Sequence, residues 1–248
     1  RYDSMLKRCI LAENRKLHAS PIWILFFALP MISAAYGTFN YLQNLSILHE
    51  RWYSLWTQHT LFYSLFFFPT MVGIYAAYLW RLEHLGHNWN LLASAPVHRM
   101  DIFFAKFLVI VKMVLLTQVF TFVLYIFCGK VFAHFSGLPP MDTLIFLLRG
   151  VIGGLAVIAA QMILSMLIRS FAVPVFIALF GGVCGTIMAS RGHGLWWPYS
   201  LMQVGMNSNQ KADMLAGQYT IFLIICIAWL AALFVVAGIL LKKREISS

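Results

Sequence analysis

Six long apolar runs constrain this chain more than any other feature. Each contains about 20 residues, the length that an α-helix needs to cross the hydrocarbon core of a bilayer. Because lipid cannot satisfy backbone hydrogen bonds, such runs fold as helices. We therefore predict an all-α polytopic membrane protein, a single domain over residues 1–248, with transmembrane helices at Ile22–Phe39, Leu61–Trp80, Phe107–Phe127, Leu144–Ile168, Phe171–Ser190 and Tyr219–Leu241.

The composition excludes a soluble domain and narrows the membrane classes. Hydrophobic residues make up 61% of the 248 residues and charged residues only 10%, which leaves too little polar surface for a water-soluble fold. All eight Asp and Glu residues fall in the flanks or at the edges of the apolar runs. Ion-coupled transporters usually need carboxylates near the membrane midplane, so this distribution argues against that class.

The Lys and Arg residues predict the orientation in the membrane. Most of them lie before the first span, around the segment between the second and third spans, and after the last span. The positive-inside rule then places both termini and that segment in the cytoplasm. The net charge of +10 follows from this topology and from contact with anionic lipid, so it does not indicate nucleic-acid binding.

The segment Glu83–Met100, between the second and third spans, is the most informative polar stretch. It is too polar to cross a bilayer, yet apolar residues recur at Leu85, Trp89 and Leu92. This spacing is typical of a short helix that docks its apolar face on a partner. We predict a cytoplasmic helix that contacts a soluble protein, with Glu83 as a charge facing that partner.

The first 20 residues form a second amphipathic stretch. Apolar residues of Ser4–Ala19 fall on or near one helical face, and basic residues lie elsewhere. We predict an elbow helix (residues 1–20) in the inner membrane interface, with Pro21 opening the first span. A solvated basic tail that only fixes the orientation is the alternative.

Three short motifs give the chain a resemblance to a known family. They are the E-x-x-K run Glu13–Lys16, the segment Leu91–Lys106 after the second span, and within it Pro96–Arg99, a P-v-s-R-like motif in which His98 replaces Ser. Together with six spans, these motifs resemble the permease subunits of type-2 ABC exporters. The aromatic residues predicted for the first outer loop, and those before the last span, are most similar to the permeases of lantibiotic immunity and antimicrobial-peptide resistance transporters. The first set is Trp52, Tyr53 and Trp56, with the polar Gln58 beside them, and the second is Trp196, Trp197 and Tyr199.

The resemblance implies a complex in a bacterial cell membrane. Two such permeases, identical or different, pair with two cytoplasmic ABC ATPase subunits, and the helix between spans two and three is the coupling helix. It implies an ATPase interface at Glu83, Leu85, Trp89, Leu92, Pro96 and Arg99. The chain has no G-x-x-x-x-G-K-[ST] phosphate loop, so ATP and Mg²⁺ are expected on the partner, with no catalytic residue or cofactor here.

The substrate implied by the resemblance is an amphiphilic antimicrobial peptide or drug. Export of a lipid or glycan precursor is an alternative. A third possibility, from another class, is a membrane scaffold or sensor that recruits a partner without transport.

The outer segment 191–218 is long for a connector and rich in aromatic residues. We predict two short re-entrant or interfacial helices broken near Pro198, with Trp196, Trp197 and Tyr199 at an outer gate that contacts substrate. An ordinary aromatic belt at the membrane surface explains the same residues equally well.

Several features inside the spans leave two interpretations open. The pairs Gly150/Gly154 and Gly181/Gly185 favour close helix packing, either within this chain or between two permeases. Lys112 and Arg149 are expected to snorkel, or else to contact an anionic lipid or substrate. The four scattered cysteines lack the spacing of a metal site. His84 and His87 have a spacing that can chelate a metal, but no third ligand is near in sequence, so no metal site is predicted.

Overall fold

A computed structural model describes residues 2–85 and 96–246. Within these ranges the chain is helical and contains no strand, which confirms the all-α prediction. The helices are α1 (Tyr2–Leu17), α2 (Ile22–Gln43), α3 (Arg51–Phe62), α4 (Phe68–His84), α5 (Arg99–Val131), α6 (Met141–Leu167), α7 (Ala172–Ser190), α8 (Pro198–Gly205) and α9 (Tyr219–Ile246).

Six of the helical stretches in the described ranges are long and apolar enough to cross a membrane. Their bounds are Ile22–Gln43, Arg51–His84, Arg99–Val131, Met141–Leu167, Ala172–Ser190 and Tyr219–Lys243. Each of the six predicted runs falls largely within one of these stretches, so the predicted number and order of spans are confirmed. The protein is a multi-pass membrane protein.

The second span begins earlier than predicted. Trp52, Trp56 and Gln58, assigned to an outer loop from the sequence, lie in α3 and are buried. The Trp56 indole donates a hydrogen bond to the Met206 carbonyl oxygen at 2.9 Å, and the Tyr125 hydroxyl donates to the Trp52 carbonyl oxygen at 2.7 Å. The loop prediction was wrong because polar groups that looked exposed in the sequence find partners inside the helix bundle.

A π-helical segment, Tyr63–Phe67, joins α3 to α4 within this span. It ends two residues before Pro69, which has no N–H to donate to a carbonyl oxygen of the preceding turn. The Gln203 side-chain amide donates to the Ser64 carbonyl oxygen at 3.3 Å and to the Gly182 carbonyl oxygen at 3.0 Å. The irregular backbone therefore lies in protein contact, as non-helical backbone in a membrane must.

The glycine pairs pack helices of this chain against one another. A Cβ on Gly153 would lie 2.5 Å from the Leu201 carbonyl oxygen, and one on Gly185 would lie 3.1 Å from the Ser200 nitrogen. Both glycines let α8 approach α6 and α7 closely. Gly150, Gly154 and Gly181 likewise abut Met206, Phe68 and Tyr199 of the same chain, so intrachain packing accounts for both G-x-x-x-G pairs.

The helices differ greatly in how much of their surface the chain itself covers. In the most apolar stretch of α6, 61% of the residues are buried, against 28% in α7 and 11% in α9. Apolar helix faces left uncovered by the chain can contact lipid tails or another membrane protein. The packed centre of the bundle is therefore formed around α4 and α6, and α7 and α9 provide much of the outward surface.

The predicted N-terminal helix is present as α1. It ends at Leu17, and the chain then turns through Ala19, whose φ of 57° lies in the left-handed region. The Trp23 indole donates to the Leu17 carbonyl oxygen at 2.9 Å, which fixes the turn into α2. The placement of α1 in the membrane interface stays a prediction.

Candidate functional site

Four charged side chains meet where α1, α4 and α5 come together. Lys106 Nζ lies 2.7 Å from Glu13 Oε2 and 2.9 Å from Glu83 Oε1. Lys16 Nζ lies 2.6 Å from Glu13 Oε1 and 2.5 Å from Glu83 Oε1. We call these four residues the ion cluster. Each carboxylate bridges both ammonium groups, and the two formal positive charges balance the two negative ones.

The ion cluster is largely removed from solvent. Lys106 is fully buried, and Glu13 and Glu83 are each only 4% exposed. Lys106 also donates a hydrogen bond to the Leu79 carbonyl oxygen at 3.2 Å, and its Nζ lies 5.2 Å from the Trp80 ring centroid. A buried charge is costly unless it is paired and hydrogen-bonded, so each member depends on the others.

Lys16 is the part of the ion cluster that remains nearest to water, with 29% of its side chain exposed. Burial lowers the pKa of Lys16, but its pairing with Glu13 and Glu83 outweighs this and raises the pKa above the ordinary value of 10.5. Lys16 therefore stays charged at neutral pH and completes the charge balance of the ion cluster.

The ion cluster flanks the predicted coupling segment. Glu83, the first residue of the segment, reaches the ion cluster from α4, and Lys106, which follows the segment, reaches it from α5. Glu13 and Lys16 connect the same point to α1. Any movement of the segment that displaces α4 or α5 would therefore act on α1 through charged contacts.

The predicted ATPase-interface residues do not share one environment. Glu83 faces into the protein, which replaces our expectation of a charge facing outward, because Lys16 and Lys106 occupy its carboxylate. Leu85 is 52% exposed. Pro96 is exposed, and Arg99 is half-buried at the start of α5. Trp89 and Leu92 lie outside the described residues, so their role stays a prediction.

Sequence reasoning missed the ion cluster, although two signals pointed to it. Glu13 and Lys16 are three residues apart, a spacing that places both on one face of a helix. Lys106 sits in the apolar sequence IFFAKFLVI, where a charge needs a partner. In the sequence these residues stand out as border charges and as parts of family motifs, but nothing there indicates that α1 packs against α5.

The outer segment forms one helix in place of the two that we predicted. α8 begins at Pro198, so this proline starts a helix and does not break one. All eight residues of α8 are buried, including Tyr199, at 6% exposure. The helix packs against α6 and α7 over their glycine residues, which sequence periodicity alone could not reveal.

The three predicted gate residues separate into different environments. Trp196 is 70% exposed, whereas Trp197 is half-buried and Tyr199 is buried. The Trp197 indole donates to the Gly181 carbonyl oxygen at 2.9 Å, and the two rings of Trp197 and Tyr199 lie 5.8 Å apart. The Gln161 side-chain amide donates to the Tyr199 hydroxyl. Trp197 and Tyr199 are thus fixed to the transmembrane helices, and Trp196 is not.

An apolar cleft of about 480 Å³ opens beside these two rings. Its walls come from α6, α7 and α9, and Trp197 and Tyr199 close one end. Among the lining residues are Ala160, Ile163, Phe176, Phe180, Cys184, Leu233 and Val236. An apolar lining at the level of the transmembrane helices suits hydrocarbon or an apolar side chain. We refer to it as the apolar cleft.

Arg149 forms an ion pair with Asp213 and is not a snorkelling cation. Its two terminal nitrogens lie 3.0 and 2.9 Å from the two carboxylate oxygens, and the Tyr219 hydroxyl donates to the same carboxylate at 2.7 Å. Although partial burial raises the Asp213 pKa, the hydrogen bonds from Arg149 and Tyr219 hold it below its ordinary value. The pair ties the loop after α8 to α6 and to the start of α9.

Lys112 has a different arrangement. It is exposed on α5, and its ammonium group donates to the side-chain oxygen of Asn14 on α1. This contact joins α1 to α5 one to two turns beyond the ion cluster. The two cations that the sequence placed inside spans thus join helices near opposite ends of the bundle, Arg149 through an ion pair and Lys112 through a hydrogen bond.

Comparison with known proteins identifies the class of this chain. The family described as ABC-2 family transporter protein matches residues 9–185, which is more than half of the chain. The chain therefore belongs to the ABC-2 transporter family. No curated protein and no solved structure matches it significantly.

Family membership gives the general role of the molecule. It is a membrane permease of an ABC transporter, and it is a transport component, not an enzyme. Membership also implies partnership with ABC ATPase subunits.

Proposed function

We propose that this chain is the permease of an ATP-driven exporter that expels an amphiphilic antimicrobial peptide, lantibiotic-like, or a drug from a bacterial cell membrane. Export would confer immunity or resistance. The apolar cleft carries the proposal, because it offers an apolar binding surface next to two fixed aromatic rings. Two permeases, identical or homologous, would act with two ATPase subunits that bind ATP and Mg²⁺.

The lining of the apolar cleft supports an amphiphilic substrate. Phe176 and Phe180 are 66% and 61% exposed on its α7 wall, so an apolar group can reach it sideways from the bilayer. Trp197 and Tyr199 sit at the end nearest the outer segment, where an aromatic ring can contact both an apolar chain and a polar head. Trp196 is exposed next to them but does not line the cleft.

The ion cluster supports coupling to an ATPase. In this proposal the partner binds the segment 83–100 through Leu85, Trp89, Leu92, Pro96 and Arg99, and Glu83 passes the movement inward. Because Glu83 begins the segment and Lys106 follows it on α5, a shift of the segment changes the geometry of the ion cluster. Glu13 and Lys16 then carry that change to α1.

The charge distribution supports an orientation with the α1 end of the bundle in the cytoplasm. The basic residues near that end outnumber those near α8, and the positive-inside rule places such an end on the cytoplasmic side. The ion cluster and the segment 83–100 would then face the ATPase, and Trp197 would lie near the outer leaflet.

The test compares two neighbouring substitutions on α9 in cells that also express the partner ATPase. Val236 lines the apolar cleft and is 43% exposed, whereas Val235 does not line it and is 61% exposed. Val236→Trp fills the cleft and should lower tolerance to an amphiphilic peptide, per molecule of inserted permease. Val235→Trp should leave tolerance unchanged. Equal tolerance in the two variants would contradict the proposal.

Export of a lipid precursor is a second candidate, favoured by the same apolar lining, which also suits an acyl chain. Purified permease and ATPase in vesicles distinguish the candidates. ATP-dependent movement of the peptide supports the first, and movement of a labelled lipid without peptide transport supports the second. If neither the peptide nor the lipid moves while the ATPase remains bound, the result would indicate a scaffold or sensor.

A further inference from the structure

A second groove lies at the α1 end of the bundle, between the start of α2 and the end of α4. Its volume is about 240 Å³, and Phe171, just before α7, closes one side. Leu25, Ile74 and Leu85 make its lining apolar, and Tyr78 and Arg81 stand together on α4 at its polar edge. We call it the Arg81 groove. It is separate from the apolar cleft and shares no lining residue with it.

The two polar side chains of the Arg81 groove have no acceptor inside the described part of the chain. Arg81 is exposed, and the structure gives its guanidinium no ion pair or hydrogen bond there, only the Phe171 ring with its centroid 5.9 Å away. The Tyr78 hydroxyl, three residues earlier and on the same helix face, likewise has no hydrogen-bond partner among those residues. The nearest carboxylate in sequence, Glu83, is already held by Lys16 and Lys106.

We propose that the Arg81 groove binds one anionic phospholipid. Its acyl chain lies along Leu25 and Ile74, and its phosphate accepts hydrogen bonds from Arg81 and Tyr78. A planar guanidinium is well suited to phosphate, and a hydroxyl beside it supplies a further donor. The groove lies between two transmembrane helices. There the apolar lining can contact the lipid chain while Arg81 and Tyr78 contact its head group.

Charge complementarity selects this occupant. A zwitterionic lipid also carries a phosphate, but its cationic group would lie near Arg81, and also near Arg169, which is exposed two residues before Phe171. A free phosphate would leave the apolar lining unfilled. The proposal requires only a multi-pass membrane chain, so it stands independently of any transported substrate.

Native mass spectrometry of the full-length permease tests the proposal. The protein is placed in nanodiscs with equal amounts of phosphatidylglycerol and phosphatidylcholine, then released into detergent, and the retained lipids are counted. We expect the wild type to retain one phosphatidylglycerol in preference to phosphatidylcholine. Arg81→Gln should lower that preference about fivefold, the equivalent of about 1 kcal/mol for one basic side chain near an anionic lipid surface.

Matched variants separate the charge from the shape of the groove. Arg81→Lys should retain most of the preference. Arg191→Gln, which removes an exposed cation near the other end of the bundle, should retain all of it. Leu25→Trp fills the groove and should lower retention of both lipids, whereas Ile24→Trp, at a 70% exposed position outside the groove, should not.

Three results would overturn the proposal. The first is equal retention of the two lipids by the wild type. The second is an unchanged preference in Arg81→Gln. The third is loss of permease dimers in Leu25→Trp with lipid retention intact, which would assign the groove to a second copy of the chain.

Discussion

Lys106 Nζ lies 2.7 Å from Glu13 Oε2, although 93 residues separate the two in sequence. The contact joins the N-terminal helix to the third span at a fully buried position. A charge of this kind persists in a membrane protein only when a partner balances it, and such groups in transmembrane segments are usually functional. The ion cluster should therefore be sensitive to single substitutions that remove one of its charges.

Neutralising one member of the ion cluster should destabilise the protein. Glu13→Gln leaves Lys106 buried with less compensation, and breaking a buried pair typically costs about 3–5 kcal/mol. Thermal unfolding in detergent should show a clearly lowered midpoint. Glu50→Gln, which neutralises an exposed carboxylate, is the matched control and should have little effect. An unchanged midpoint for Glu13→Gln would mean that the ion cluster contributes no net stability.

The coupling prediction concerns residues outside the described ranges. If the apolar stripe of the segment 83–100 docks on the ATPase, the double variant Trp89→Ala/Leu92→Ala should insert normally but lose most of its ATPase binding. Co-purification of the ATPase and substrate-stimulated ATP hydrolysis measure this loss. Normal co-purification together with normal stimulation would remove the stripe from the interface.

The orientation can be tested by thiol labelling. Gln210 is exposed in the loop after α8, and Ser94 lies in the coupling segment. In a variant lacking the half-exposed Cys9 and Cys184, Gln210→Cys should react with an impermeant reagent added to intact cells, and Ser94→Cys should not. Reversed labelling would put the α1 end outside and separate the ion cluster from any cytoplasmic ATPase.

Acid should release the loop held by Asp213. Its carboxyl has a folded-state pKa below the ordinary value of 3.8, so the ionised form stabilises the fold. This stabilisation is fully present above 3.8 and is lost as the pH falls through the lowered pKa. Labelling of Leu215→Cys, at a position that is 1% exposed while the loop is held, by a reagent active in acid should increase only as the pH falls below 3.8. Asp213→Asn should remove the dependence, and an increase already near pH 6 would assign it to another group.

Features that depend on residues close together in the chain could be predicted from the sequence. Contacts between segments that are distant in the chain could not. Span number followed from apolar run length, because each crossing is decided by its own residues. The burial of Trp52, the direction of Glu83 and the pairing of Arg149 with Asp213 depend on contacts between distant segments. The glycine pairs were an intermediate case, since close packing was evident in the sequence but the partner helix α8 was not.

The last prediction concerns Trp197, a predicted gate residue that is hydrogen-bonded to α7 and lines the apolar cleft. Trp197→Ala removes an aromatic wall of the cleft and the hydrogen bond to the Gly181 carbonyl oxygen. If the ring contacts substrate, this variant should lower peptide tolerance per inserted molecule, because loss of one aromatic contact costs about 1–3 kcal/mol.

Two further variants separate substrate contact from support of the helix. Trp197→Phe keeps an aromatic ring but cannot donate the hydrogen bond, so it should retain most of the tolerance if ring contact matters. Trp196→Ala changes a 70% exposed residue outside the cleft and should leave tolerance unchanged. Tolerance is divided by the amount of permease in the membrane, with ATPase assembly measured alongside. Wild-type tolerance per molecule in Trp197→Ala would leave these rings as interfacial anchors, because an anchor changes the amount of inserted protein and not the activity of each molecule. An equal loss per molecule in Trp196→Ala would contradict a role specific to the cleft.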